Sequence, residues 1–145
     1  MAWEVAEVVA ICKRRNFVQP TVYQGVYNLL DRLVEEELLP CLRKFGLKFA
    51  AYSPLAGGYL TDKFFVPEPG KEQNLKFTHW WYKHRYSAMS PAVLKLQQVA
   101  KAHDLTLVEV AYRWLQWHSK MQPGDYGIVM AASRKAQVVS TVADW

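Results

Sequence analysis

The stretch LKFAAYSPLAGGYLTDK, residues 47–63, decides the fold. Its first six residues form a short apolar run with the length of a buried strand, which ends at Ser53-Pro54. The Gly57-Gly58 pair that follows is typical of a tight turn, because glycine adopts backbone conformations that other residues disfavour. A short buried strand of this kind, alternating with helices, is typical of an α/β fold with a parallel sheet.

The rest of the chain supplies helices and two more short strands. The predicted order is α, β, α, β, loop, α, α, β, α, which predicts an α/β fold with three parallel strands. A chain that begins and ends in a helix is expected to be part of something larger. The predicted strands are 21–24, 47–52 and 127–132. The first predicted helix ends near Arg15 and the second covers 34–45. The remaining three begin at Ser90, after Thr106 and at residue 134.

Several single residues predict where elements begin or end. Gly25 is predicted to stop the first strand, and Pro40 to bend or restart the second helix. Ser90 has the residue type and position of an N-cap. Thr106 and Glu109 have the spacing of a capping box.

Composition excludes several classes of protein. Hydrophobic residues make up 51% and charged residues 21% of the 145 residues, as in one globular domain over 1–145. No apolar run approaches the roughly 20 residues of a membrane-spanning helix, and no secretory signal pattern opens the chain. Two cysteines predict reduced, buried thiols in a cytoplasmic protein, and the histidines lack metal-ligand spacing.

The net charge of +5 is modest, with 18 basic against 13 acidic residues. It suits an anionic ligand such as a phosphate, a nucleic acid, or no ligand at all. The basic residues occur singly along the chain apart from Lys13-Arg14-Arg15, which falls in the last turn of a helix and complements its dipole. We therefore expect no nucleic-acid partner.

The loop after the second strand, residues 53–63, is the most informative feature. Glycines after a strand leave backbone N–H groups uncovered, and such groups bind phosphate oxygens, with Lys63 as a counter-charge. The alternative is a tight turn that merely needs glycine. The loop matches neither of the common glycine-rich nucleotide motifs.

A second candidate follows the third strand, where Ser133 and Arg134 precede a helix. Arginine offers a forked donor suited to a phosphate monoester. The alternative is an ordinary capped helix with solvated cations. The two loops together support a phosphate site more strongly than either does alone, because a (β/α)8 barrel builds its phosphate site from the loops after its last two strands.

Two strand ends and one aromatic segment complete the candidates. Tyr52 closes the second strand and is placed to stack on a planar ring, or else to pack at the rim. Gln24 closes the first strand and is placed to bind an amide, or else to cap the strand. The segment FTHWWYKHRY, residues 77–86, is either a pocket lining or a surface loop with half-buried aromatic rings.

These residues resemble the aldo-keto reductases, in particular the branch of aflatoxin-aldehyde reductases and fungal aryl-alcohol dehydrogenases. The resemblance covers nearly the whole chain. It lies in AWEVAEVVAICKRRNFVQPTVYQGVYN (2–28), LLPCLRKFGLKFAAYSPLAGGYLTDKF (38–64) and GIVMAASRKAQVV (127–139), of which PTVYQGVYN and SPLAGGYLT are the most specific blocks.

The resemblance implies a partial (β/α)8 barrel, holding about the last three parallel strands, with NADP(H) as cofactor and an aldehyde or ketone as substrate. It implies that Gln24 binds the nicotinamide carboxamide and that Tyr52 stacks on the nicotinamide ring. It implies that Ser133, Arg134 and Gln137 hold the adenosine 2′-phosphate, and that Arg85 lies on the side of the site where the substrate binds. Thr141 is also predicted to bind the cofactor, although Ser140-Thr141 departs from the family pattern. The pyrophosphate loop comprises Ser53, Pro54, Leu55, Ala56, Gly57, Gly58, Leu60 and Lys63.

The departures from the family are absences. The family's catalytic aspartate, tyrosine, lysine and histidine come from the first four strands, and nothing in this chain corresponds to them. We therefore expect a truncated reductase that keeps a cofactor half-site and has no turnover alone. The alternative is a non-catalytic interaction protein that pairs with an intact relative, or with itself, through exposed strand edges.

Overall fold

A computed structural model describes residues 1–62 and 80–143 of the chain. The observed order of elements follows the predicted one with one exception: residues 80–86, which were predicted to belong to a loop, form a helix. The elements are α1 (Ala2–Arg15), β1 (Val22–Val26), α2 (Leu38–Phe45), β2 (Lys48–Tyr52), α3 (Trp80–Tyr86), α4 (Ser90–Ala102), α5 (Leu107–Trp117), β3 (Gly127–Ile128) and α6 (Lys135–Ala143).

The three strands form one parallel sheet in the order β1-β2-β3. Val26 is paired with Tyr52, and Ala51 is paired with Ile128, so the carboxyl ends of all three strands lie at one edge of the sheet. This confirms the predicted parallel α/β class and fits a partial barrel.

Strand alternation divides the sheet into two faces. One face carries Tyr23, Phe49 and Ile128, which pack with side chains of α1, α2 and α5 in the main core cluster. The register places Gln24 and Tyr52 on the opposite face, because Gln24 is level with Ala50, two residues before Tyr52. We call this second surface the Gln24 face.

The strand boundaries differ from the prediction at two places. Gly25 does not stop β1, which continues to Val26. A Cβ atom on Gly25 would lie 3.0 Å from the ring of Tyr23 and 3.1 Å from that of Phe49, so glycine here makes room for two aromatic rings. Strand β3 has two residues instead of the predicted six, although the N–H of Val129 still donates to Ala51 O at 2.7 Å.

The helix starts explain the remaining differences. A 3₁₀ turn over Leu33–Glu35 precedes α2, so Pro40 lies in the first turn of a restarted helix, where no backbone N–H is needed. Ser90 is the first residue of α4 and not its N-cap, which is Met89. The capping box is confirmed: Glu109 N donates to Thr106 Oγ1 at 3.1 Å, and Thr106 N to Glu109 Oε2 at 2.8 Å.

Candidate functional site

The pairing of β1 with β2 brings a first group of candidate residues together near the carboxyl edge of the sheet. Gln24 and Tyr52 both lie on the Gln24 face, Gln24 exposed and Tyr52 half-buried. The register thus places the two side chains on one surface, as binding of a single ring and its amide would require.

The loop after β2 is a tight turn with unusual backbone angles. The φ angles are positive at Ser53 (59°), Ala56 (50°), Gly57 (65°) and Gly58 (100°). Positive φ strains any residue other than glycine, so serine and alanine adopt it here only because the surrounding structure holds them. We call residues 53–60 the glycine loop.

Backbone hydrogen bonds brace the glycine loop from within. The amides of Gly58 and Leu60 both donate to Leu55 O, at 2.9 and 3.2 Å, and the amide of Ala56 donates to Ser53 O at 3.0 Å. The amide of Tyr59 donates to Ala56 O at 3.3 Å. These four N–H groups already have acceptors, so the turn is more rigid, and has fewer free donors, than the glycine pattern predicts.

Burial separates the side chains of this loop into two groups. Pro54, Ala56 and Leu60 are buried in the protein, so they shape the loop and do not offer a surface to a ligand. Ser53, Leu55, Gly57 and Gly58 are half-buried. A Cβ on Gly58 would meet no atom of the described residues within 4 Å, so this glycine faces open space between them.

Ser53 combines strain with an unpaired hydroxyl. Its Oγ is fully buried and has no hydrogen-bond partner among the described residues. A buried polar atom without a partner is uncommon and costs free energy, so its presence next to a strained loop is characteristic of a functional position.

Asn28 anchors the glycine loop, and sequence reasoning missed it. This fully buried residue donates from Nδ2 to Ser53 O at 3.0 Å and to the Tyr86 hydroxyl at 3.1 Å. Its Oδ1 accepts from the amides of Leu30 and Asp31, each at 2.9 Å. The available signal was a polar amide directly after a strand, at the end of the VYN triplet.

Arg85, the predicted substrate-side residue, is engaged in an ion pair. Its Nε contacts the buried carboxylate of Asp31, and its guanidinium lies 5.0 Å from the ring centre of Trp81. The hydrogen bond with Asp31 raises the pKa of Arg85. Burial raises the pKa of the neighbouring Tyr86 hydroxyl. A substrate would meet only the outer N–H groups of Arg85.

The segment after β3 has a different character. Gln137 Oε1 accepts from Ser133 N at 3.0 Å, from Ser133 Oγ at 3.2 Å and from Arg134 N at 3.2 Å. This side chain therefore occupies donors that a phosphate would use. Arg134 is exposed and has no ion pair among the described residues, while Thr141 is half-buried within α6.

Some candidates lie outside the described residues. Lys63 does, as do residues 77–79 of the aromatic segment. Within the described ranges, no cluster of three or more potential metal ligands occurs. Among the helices that the structure describes, none has the length and apolar character needed to cross a membrane.

The parallel three-stranded sheet and its helices define an α/β chain, consistent with a fragment of a (β/α)8 barrel. The chain belongs to the aldo/keto reductase family, whose model matches residues 2–145. It is 37% identical to aflatoxin B1 aldehyde reductase member 4 of Homo sapiens, over 98% of this chain and 46% of that protein.

Two other relatives give the same result. Aflatoxin B1 aldehyde reductase member 2 of Mus musculus is 38% identical, over 98% of this chain and 42% of that protein. An aldo-keto reductase of Pseudocercospora fijiensis is 32% identical, over 99% of this chain and 51% of that protein. The chain thus spans about half the length of the curated relatives it matches.

Proposed function

We propose that this chain forms the cofactor-phosphate part of an NADP(H)-dependent reductase of aldehydes and ketones. The observation that carries the proposal is the glycine loop: strand β2 ends in a strained turn with open space at Gly58 and an unpaired buried hydroxyl at Ser53. Strained backbone and unpaired polar atoms cluster at ligand sites. Membership of the aldo/keto reductase family supports the reaction class.

The residues present fit a dinucleotide with one extra phosphate. The amide of Gln24 would bind the nicotinamide carboxamide, and the ring of Tyr52, on the same face, would stack on the nicotinamide. The glycine loop would receive the pyrophosphate, and Lys63 would add charge. Ser133, Arg134 and Gln137 would hold the 2′-phosphate, with Arg134 as the exposed cation. The phosphate would have to take the place of Gln137 Oε1 on the Ser133 and Arg134 amides.

When bound, NADPH supplies a hydride to the carbonyl carbon of the substrate, the carbonyl oxygen takes up a proton, and an alcohol and NADP⁺ result. Proton delivery needs a donor held near the carbonyl oxygen with a suitable pKa. The resemblance assigns that donor and its partners to strands with no counterpart in this chain. We propose that the chain alone binds cofactor without turnover.

A cofactor titration tests the binding proposal. The fluorescence of the six tryptophans is followed during addition of NADP(H) or NAD(H). A charge-assisted hydrogen bond contributes about 1.5–3 kcal/mol, so the wild-type chain should prefer NADP(H) roughly tenfold or more. Arg134→Ala should abolish the preference. Lys135→Ala, which removes the neighbouring cation, is the control and should retain most of it.

Three results would contradict this assignment. Equal affinity for the two cofactors, or an unchanged preference for NADP(H) in Arg134→Ala, would disprove the proposed 2′-phosphate site. Oxidation of NADPH by an aromatic aldehyde in the presence of the purified chain, abolished by one point mutation, would disprove the lack of turnover.

A second function, pairing with another aldo-keto reductase chain, rests on the edge of β1. Strand β1 is terminal in the sheet order, so one of its edges has no partner strand among the described residues. Beside it lies an open apolar groove of about 210 Å³, lined by Met1, Val5, Val8, Pro20, Val22 and Tyr23 together with Glu4 and Leu47. An unpaired strand edge is a template for another strand.

Sedimentation tests the pairing. The chain is run alone and mixed with an intact family member, and association is expected in at least one case. Val22→Lys, which puts a charge on the strand edge, should weaken it. A sharp monomer peak in both cases, with a cooperative thermal transition, would exclude this function.

A further inference from the structure

The two glycines of the glycine loop have different surroundings. A Cβ atom on Gly57 would lie 2.5 Å from Cγ and Cδ1 of Tyr82, so the ring of Tyr82 covers this glycine. The same construction at Gly58 meets nothing within 4 Å. Glycine is therefore needed at 57 to admit an aromatic ring, while 58 remains open for a ligand.

Helix α3 holds the Tyr82 ring in place. Tyr82 stacks on Tyr86, with ring centres 6.3 Å apart and planes at 14°, and meets Trp81 edge-on at 5.2 Å. Tyr86 is fully buried, and its hydroxyl accepts a hydrogen bond from Asn28. Helix α3 thus has two anchors, one on the glycine loop and one in the buried polar network.

The same helix carries Arg85, which is paired with Asp31 just after β1. Asn28 connects the two regions, because it donates to both Ser53 O and the Tyr86 hydroxyl. If α3 moved away from the sheet, the Tyr82 ring would leave Gly57 and Arg85 would move at the same time. Helix α3 therefore supports both the candidate phosphate loop and the candidate substrate side.

We propose that Tyr82 is a positioning residue that docks α3 on Gly57 and thereby couples the phosphate loop to the substrate side. The docked ring holds the glycine loop in its strained turn, and a loop already in its binding conformation binds an anion more tightly. By reciprocity, an anion on the loop stabilises the docked helix. The coupling to a ligand rests on the proposed function, whereas the docking contact does not.

Hydrogen exchange without ligand tests the docking contact. The amides of Gly58, Tyr59 and Leu60 are hydrogen-bonded within the loop and report on its opening. In the Tyr82→Ala variant these amides should exchange about tenfold faster than in the wild type, which corresponds to about 1.4 kcal/mol of lost local stability. Tyr82→Phe keeps the ring and should restore wild-type exchange. Tyr126→Ala, at a tyrosine that is 71% exposed, is the control and should change nothing.

Wild-type exchange in Tyr82→Ala would overturn the docking. So would an equal increase in Tyr82→Phe, because the contact would then depend on the hydroxyl and not on the ring.

Exchange with inorganic pyrophosphate tests the coupling. Pyrophosphate should slow exchange of the α3 amides in the wild type and in Tyr82→Phe, and should leave them unchanged in Tyr82→Ala. Affinity for pyrophosphate should fall about fivefold or more in Tyr82→Ala, in the usual range of such couplings. Binding without protection of α3 would overturn the coupling alone. No binding would overturn the coupling together with the proposed function, while the docking result would stand.

Discussion

The loops after β2 and β3 are the two candidate phosphate sites, and they differ in how firmly they are held. The glycine loop is braced by its own backbone bonds, by Asn28 and by the ring of Tyr82. Residues 131–140 after β3 are exposed, and the bonds to Ser133 come from Gln137, four residues away. The first loop has more contacts that hold its conformation, so the second loop would lose more conformational freedom on binding a ligand. Two candidate phosphate loops therefore need not be equally preorganised.

The largest expected effect is the loss of the Asn28 anchor. Asn28→Ala removes four hydrogen bonds from a buried site, those to Ser53 O and the Tyr86 hydroxyl and those from the amides of Leu30 and Asp31. A hydrogen bond contributes about 0.5–1.5 kcal/mol, so we expect a loss of about 3–4 kcal/mol in the free energy of unfolding. Urea denaturation measures it. A loss below about 1 kcal/mol would show that the β2 loop does not depend on this network.

A glycine pair separates backbone strain from the contact with Tyr82. Gly46, the C-cap of α2, has φ 70° and ψ 22°, nearly the angles of Gly57, but a Cβ there meets no atom within 4 Å. Gly46→Ala should cost about 1 kcal/mol, from strain alone. Gly57→Ala should cost about 3 kcal/mol, because the collision with the ring adds about 1–3 kcal/mol.

The double substitution Gly57→Ala with Tyr82→Ala checks the origin of that difference. Removing the ring should remove most of the collision, so the two substitutions should be less than additive in denaturation experiments. Strict additivity would mean that the ring does not lie on Gly57.

The end of the sheet near β3 depends on a carboxylate, which makes it sensitive to acid. Asp125 forms two hydrogen bonds with Arg43, at 2.5 and 2.6 Å, and accepts from the amide of Phe49 at 2.9 Å. Burial raises the pKa of Asp125, but the hydrogen bonds from Arg43 and from the Gln122 and Phe49 amides outweigh it and lower the pKa below its usual value.

Because the folded-state pKa is lowered, the stabilisation is complete above about pH 4, the ordinary value for aspartate, and is lost as the pH falls toward the folded value. Asp125→Asn should cost about 2 kcal/mol at pH 7, the size of a charge-assisted bond, and less at pH 3. Unfolding curves at the two pH values measure this. Asp104→Asn, at an exposed aspartate, is the control, and a similar response in both variants would reject the prediction.

The smallest effect is expected in the β3 segment itself. Gln137→Ala removes bonds to the Ser133 and Arg134 amides, but all three residues are exposed, so water replaces the lost acceptor. The cost should stay below about 1 kcal/mol. Thermal unfolding measures it. A loss as large as that of Asn28→Ala would remove the contrast between the two loops.

Local chemistry in the sequence determined the class of fold. The first helix with its end at Arg15, the Thr106–Glu109 capping box and the apolar run of β2 each depend on neighbours within a few residues, and the structure confirms all three. The family resemblance is likewise readable from contiguous blocks such as PTVYQGVYN and SPLAGGYLT.

Only the tertiary structure decided how the candidate site is held. The sequence predicts glycines for a phosphate, but not that Tyr82, 25 residues further along the chain, covers one of them. It does not indicate that Asn28 is hydrogen-bonded to both Ser53 and Tyr86, or that Asp31 forms an ion pair with Arg85. The physical reason is range: helix repeats and caps depend on adjacent residues, whereas packing and buried hydrogen bonds depend on which distant residues the sheet brings together.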